Sequence, residues 1–111
     1  MQTTTTQFKH CSLVKVQGRV DSATAPQLAE SLKTIMDNGH YKIVLDYSQL
    51  EFISSAGLRV MINTQKACKR YNRGEVVLAA LPNNIHAALD LAGFTSIFEI
   101  FDDALIAVGS F

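Results

Sequence analysis

Two serines, Ser54 and Ser55, stand immediately before a segment with helical character that opens Ala56-Gly57-Leu58. A hydroxyl in that position can accept a hydrogen bond from one of the unpaired amides at a helix start, so either residue has a structural use as a cap. The place has a second use, because free amides and the positive end of the helix dipole also receive an anion, such as a phosphate carried on a serine. Gly57 adds weight to the second use. It is a poor helix former, costing about 1 kcal/mol against alanine, and its presence in the first turn implies that something needs close access to this backbone.

Other reactive groups are sparse. Asp46 follows the apolar run Lys42 to Leu45, and the carboxyl end of a buried strand is where α/β folds place reactive side chains. Aspartate equally suits a turn, and a carboxylate capping the link Asp46 to Ser48 is the favoured reading. His10, His40 and His86 lie in or beside different connections with no His or Cys at metal-ligand spacing, so they read as surface residues and no metal is expected. Cys11 and Cys68 read as two free thiols of a reducing compartment. No G-x-G-x-x-G, G-x-x-x-x-G-K-[ST] or G-x-S-x-G occurs, which removes the common phosphate cradles and the nucleophile elbow. No catalytic residue and no cofactor are expected.

Composition narrows the class further. Ten Lys plus Arg balance ten Asp plus Glu in 111 residues, which argues against nucleic acid as a direct ligand, since phosphate backbones select basic surfaces. The start, Met1 to Gln7, is polar and threonine-rich and does not resemble an export signal. No run approaches the roughly 18 apolar residues of a membrane span. The expectation is one cytoplasmic domain over residues 1–111 with a single core.

The elements that must position the serines follow from periodicity. Thr3 to Lys9 and Leu13 to Gln17 read as an opening hairpin turning at His10 to Ser12. Thr24 stands three residues before Gln27, a capping-box spacing, with Pro26 in the first turn of a helix whose inner face is Leu28, Leu32 and Ile35 and whose stop is Asn38-Gly39. Lys42 to Leu45 reads as a strand buried on both faces. A polar link from Asp46 to Glu51 leads to a second helix from about Ala56 to Tyr71. Along that helix Arg59, Asn63, Lys66, Arg70 and Arg73 form one stripe, and Val60, Met61, Thr64, Cys68 and Tyr71 the other. Val76 to Leu81 is a strand; Ile85, Leu89 and Ala92 face inward on a short helix ended by Gly93. Ile97 to Phe101 is a last strand, and Asp102-Asp103 open a final helix through Val108. The order ββαβαβαβα predicts an α/β fold with a mixed sheet of four to five strands, an amino-terminal hairpin, and helices mainly on one face.

On these residues the chain resembles a known family. Leu45-Asp46-x-Ser48 followed by Phe52-Ile53-Ser54-Ser55-Ala56-Gly57-Leu58 is similar to the signature of STAS domains, in particular the bacterial anti-sigma-factor antagonists. Gly18-Arg19-Val20-Asp21, then Thr24-Ala25 and Leu28, resembles that family's first strand-to-helix junction. The resemblance implies a protein that binds an anti-sigma factor, itself a serine/threonine kinase, and so frees a sigma factor for transcription. Phosphorylation by the kinase would switch the protein off, and a serine phosphatase would restore it. Carried over residue by residue, the modified position is Ser55 in preference to Ser54. The partner surface would draw on Asp21, Ser22, Thr24, Ser54, Ser55, Gly57, Leu58 and Arg59.

The chain departs from the family pattern in having Ser54 where Asp commonly precedes the modified serine, and Ala56 where Ser or Thr is frequent. The choice of Ser55 therefore rests on register. Two other readings stand beside this one. A receiver-type phospho-acceptor would use Asp46, but it needs acidic residues at the end of its first strand, and Leu13 to Val20 supplies none before Asp21. A STAS subunit of a larger stress-signalling or transporter-associated assembly would leave the serines structural.

Overall fold

A computed structural model describes all 111 residues. Strands β1 (Gln2–Gln7) and β2 (Ser12–Val20) form the antiparallel hairpin, followed by helix α1 (Ala25–Asp37) and strand β3 (Lys42–Asp46). A short strand β4 (Leu50–Ile53) then leads into helix α2 (Ser55–Lys69). Strand β5 (Glu75–Ala79), helix α3 (Asn83–Leu91), the two-residue strand β6 (Ile100–Phe101) and helix α4 (Ala104–Gly109) complete the chain. The sheet runs β1-β2-β3-β5-β6, with every pairing except the hairpin parallel, and β4 pairs with the far end of β2. It is the mixed sheet expected from the alternation of strands and helices, with six strands.

The periodicity of the strands accounts for the layers. On β3 and β5, Ile43, Leu45, Val76 and Leu78 join Leu28, Leu32 and Ile35 of α1, Met61 and Cys68 of α2, and Ile85 and Leu89 of α3 in the main core. The alternate residues Val44, Val77 and Ala79 face the other way, where they meet Cys11 and Ala107 of α4. Three helices thus cover one face and α4 the other, so β3 is buried on both. Cys11 and Cys68 are buried free thiols.

The structure corrects several boundaries. The link Asp46 to Glu51 is shorter than expected because Leu50 to Ile53 pairs with β2, across a bulge at Gly18, where φ is +89°. Ile97 and Phe98 are not strand; their amides bond the carbonyl of Phe94 in a 3-10 turn, and pairing with β5 begins only at Glu99, whose carbonyl accepts the Leu78 amide at 2.9 Å. Ala92 is exposed, since α3 ends before it. Helix α2 ends at Lys69, and Tyr71, with φ of 59°, turns out to 77% exposure and leaves the inner face. Arg70 and Arg73 therefore lie beyond the helix, and of the expected stripe Arg59, Asn63 and Lys66 remain on it, all exposed.

A buried amide that periodicity does not reveal ties α2 to the sheet. Gln65 accepts the Val76 amide at 2.7 Å and donates to the carbonyls of Val76 and Ile97 at 3.1 and 3.2 Å. It satisfies backbone groups that the short β6 cannot reach.

Candidate functional site

Parallel pairing of β2 with β4 builds the site. Val20 lies opposite Ile53, and the Ser54 amide donates to the Val20 carbonyl at 2.8 Å. The chain after β2, carrying Asp21, Ser22 and Thr24, and the chain after β4, carrying Ser54 and Ser55, consequently emerge side by side at one end of the sheet.

The two serines have different positions there. Ser54 is the N-cap of α2 in extended conformation, half-buried, and its Oγ accepts the Gly57 amide at 3.3 Å. Ser55 is the first helical residue, exposed, and its hydroxyl makes no hydrogen bond within the protein. No acidic side chain occupies the first turn of α2, so the helix supplies no counter-charge of its own to its positive end beside Ser55.

Beneath them, Gly57 is buried. A Cβ on it would lie 2.7 Å from Cγ1 of both Ile53 and Val20. The close approach at this glycine is thus made by the protein's own core, which corrects the expectation that Gly57 keeps backbone open to something outside. Leu58 is half-buried, and Arg59 is exposed one turn beyond Ser55.

The neighbouring turn is rigidly tied. Asp21 Oδ1 accepts the amides of Ala23 and Thr24, each at 3.0 Å, and the Asp21 amide donates to Thr24 Oγ1 at 2.9 Å. The Thr24 hydroxyl donates to the Arg19 carbonyl at 3.0 Å, with Asp21 Oδ1 as a second acceptor at 3.2 Å. The Thr24 amide above all, then the Ala23 amide, the Thr24 hydroxyl and the charge of Arg19, hold the Asp21 carboxyl below its ordinary pKa. Thr24 thus ends β2 and begins α1 by bonding backward to the turn. The capping-box bond forward into the helix is absent. Ser22 is exposed at the tip.

Two residues join the site that the sequence reading left out. The Arg19 guanidinium lies 4.4 Å from the centroid of the Phe52 ring, and Phe52 is 37% exposed. They are register partners on β2 and β4, which is visible only once Leu50 to Ile53 is known to be a strand. Asp46 stands apart, its Oδ1 accepting the Ser48 amide at 2.9 Å as a turn cap. The surface formed by Asp21, Ser22, Arg19, Phe52, Ser55 and Arg59 is mixed in charge and carries an aromatic ring.

Comparison with known proteins agrees with the fold and the sequence signature. A family model described as STAS domain matches residues 2–104. BtrV of Bordetella bronchiseptica, provisionally named an anti-sigma factor antagonist, is 38% identical over 96 residues, covering 86% of this chain and 82% of its own. The anti-sigma-B factor antagonist of Listeria monocytogenes is 27% identical over 85 residues, covering 77% of this chain and 74% of its own. Among solved structures, an anti-sigma factor antagonist from Mycobacterium paratuberculosis superposes with a TM-score of 0.88 at 23% identity, covering 98% of this chain and 92% of that one. The Bacillus cell fate determinant SpoIIAA in its phosphorylated form superposes with a TM-score of 0.77 at 12% identity, covering 98% of both chains.

Proposed function

The chain belongs to the STAS domain family, and from that premise we propose that it is a cytoplasmic anti-sigma factor antagonist that binds an anti-sigma factor serine/threonine kinase and is inactivated when that kinase phosphorylates Ser55. A serine phosphatase returns it to the binding state. It works by contact and carries out no catalysis of its own.

The observation that carries this reading is the division between the two serines. Ser54 is engaged as the N-cap, whereas Ser55 is exposed on the same end of the sheet as the Asp21 turn. A kinase needs a hydroxyl that can enter its active site, and Ser55 offers one without disturbing a cap. The relatives' names supply the partner class, and the phosphorylated form of the structural neighbour SpoIIAA supports modification as the switch. This chain spans most of the length of the relatives that supply that class.

The test uses the anti-sigma kinase of the same organism with ATP and magnesium. Mass spectrometry should place one phosphate on Ser55, retained in Ser54→Ala and absent from Ser55→Ala, and phosphorylation should release the complex. Modification of Ser54 alone would overturn the choice of residue, and a failure to bind any anti-sigma factor would overturn the function.

A further inference from the structure

At the opposite end of the sheet from Ser55, three connections converge. The β1–β2 turn brings Lys9, His10 and Cys11; the segment between α1 and β3 brings Gly39, His40 and Tyr41; and Lys42 begins β3 while Arg73 precedes β5. Together they line a depression of about 140 Å³. Three of the ten Lys and Arg residues and two of the three histidines of a chain with zero net charge meet there, and no Asp or Glu lines it.

These cations are uncompensated. The molecule's one ion pair joins Lys33 and Asp37 on α1. Glu75 lies opposite Lys42 in the sheet register, but it does not line the depression and forms no ion pair with Lys42. Like charges gathered without a counter-charge repel one another, and an anion seated among them removes that cost.

Arg73 is held ready for such a ligand. Its guanidinium lies 3.9 Å from the centroid of the Tyr41 ring, while Nε donates to the Arg70 carbonyl at 3.1 Å and Nη2 to the Ala67 carbonyl at 2.7 Å. Nη1 makes no hydrogen bond within the protein. Gly74 permits the arrangement, because a Cβ there would overlap the Tyr41 carbonyl. A guanidinium fixed by stacking and two carbonyls loses little further freedom when it binds.

We propose that this depression binds the phosphate group of a small molecule, with Lys9, Lys42 and Arg73 as its charged donors. Drug-sized ligands and whole cofactors occupy roughly 300–1,000 Å³, so the volume suits a single tetrahedral oxyanion whose organic remainder, if any, projects into solvent. Charge-assisted hydrogen bonds from lysine and arginine are the strong ones for such a group. The proposal is independent of the role of Ser55, which lies beyond the other ends of the strands.

The probe is inorganic phosphate, and in a second arm glycerol 3-phosphate, titrated into the full chain at constant ionic strength while backbone amide resonances are followed by NMR. Saturable shifts are expected at Cys11, His40, Tyr41, Arg73 and Gly74 and not at Ser54 or Ser55. Lys9→Gln and Lys42→Gln, exposed positions that leave the fold intact, should each weaken binding about tenfold, and Arg73→Gln should abolish it. Tighter binding of the ester would identify an organophosphate as the ligand, and equal affinity would identify free phosphate. The proposal is overturned by shifts that do not saturate, by an equal response to chloride, by shifts centred on the start of α2, or by a folded Lys9→Gln, Lys42→Gln double variant that binds as tightly as the parent.

Discussion

At the scale of single residues, the central fact is that adjacent serines of identical chemistry have unequal surroundings. Ser54 accepts the Gly57 amide and Ser55 accepts nothing. Removing the cap should therefore cost stability, while removing its neighbour should not. Ser54→Ala is expected to lower the free energy of unfolding by about 1 kcal/mol, the usual worth of a serine N-cap. Ser55→Ala, at an exposed first-turn position, should stay within about 0.5 kcal/mol of the parent. Urea denaturation monitored by circular dichroism separates the two, and equal losses would mean that both hydroxyls serve the helix. The replacement of the family's usual acid by Ser54 also has a physical reading. A serine retains the capping oxygen and gives up the charge, so the helix start is left more positive than an aspartate would leave it.

At the scale of elements, the start of α2 lies close against the β2–β4 pair, and Gly57 permits that approach to the side chains of Ile53 and Val20. An alanine there would favour the helix by about 1 kcal/mol in isolation. Its Cβ, however, would lie 2.7 Å from Ile53 and from Val20, and overpacking of this kind typically costs about 1–3 kcal/mol. Packing should win. Gly57→Ala is expected to unfold at lower urea concentration than the parent and to shift the amide resonances of Val20, Ile53 and Ser54. A variant more stable than the parent would show that helix propensity governs this turn. Sequence periodicity foresaw α1, α2, β3 and β5, because their apolar residues recur at the helical or strand period over long enough spans. It foresaw the serines at a helix start for the same reason. It missed β4 and shortened the site accordingly, since Leu50-Glu51-Phe52-Ile53 has only Leu50 and Ile53 buried and no strand alternation. With β4 unseen, the pairing of Arg19 with Phe52 could not be inferred. The convergence of Lys9, His40 and Arg73 was hidden for a different reason. They lie in three separate connections, and only the closing of the parallel sheet brings those connections together.

At the scale of the molecule, the question is whether a phosphate on Ser55 would alter the fold or only the surface. The position is exposed, the first turn of α2 holds no acid, and the core beneath it is closed by Val20, Ile53 and Gly57. An anion placed there gains from the helix dipole, by roughly 0.3–1 kcal/mol at an exposed site. Nothing in the surrounding packing has to move. The same charge presented to a partner surface shaped for a hydroxyl must be desolvated without a counter-charge, which costs several kcal/mol, and each 1.4 kcal/mol is about tenfold in affinity. Ser55→Asp should therefore keep the parent's circular dichroism and melt at an equal or slightly higher temperature. Its amide shifts should be confined to the first turn of α2 and the Asp21 turn, while calorimetry with the anti-sigma kinase should show affinity reduced by about a hundredfold or more. A single carboxylate carries less charge than phosphate, so the phosphorylated protein should bind more weakly still. Undiminished binding by both the Ser55→Asp variant and the phosphorylated protein would rule out repulsion at the contact, and a broad collapse of amide dispersion on phosphorylation would show that the switch acts through the fold.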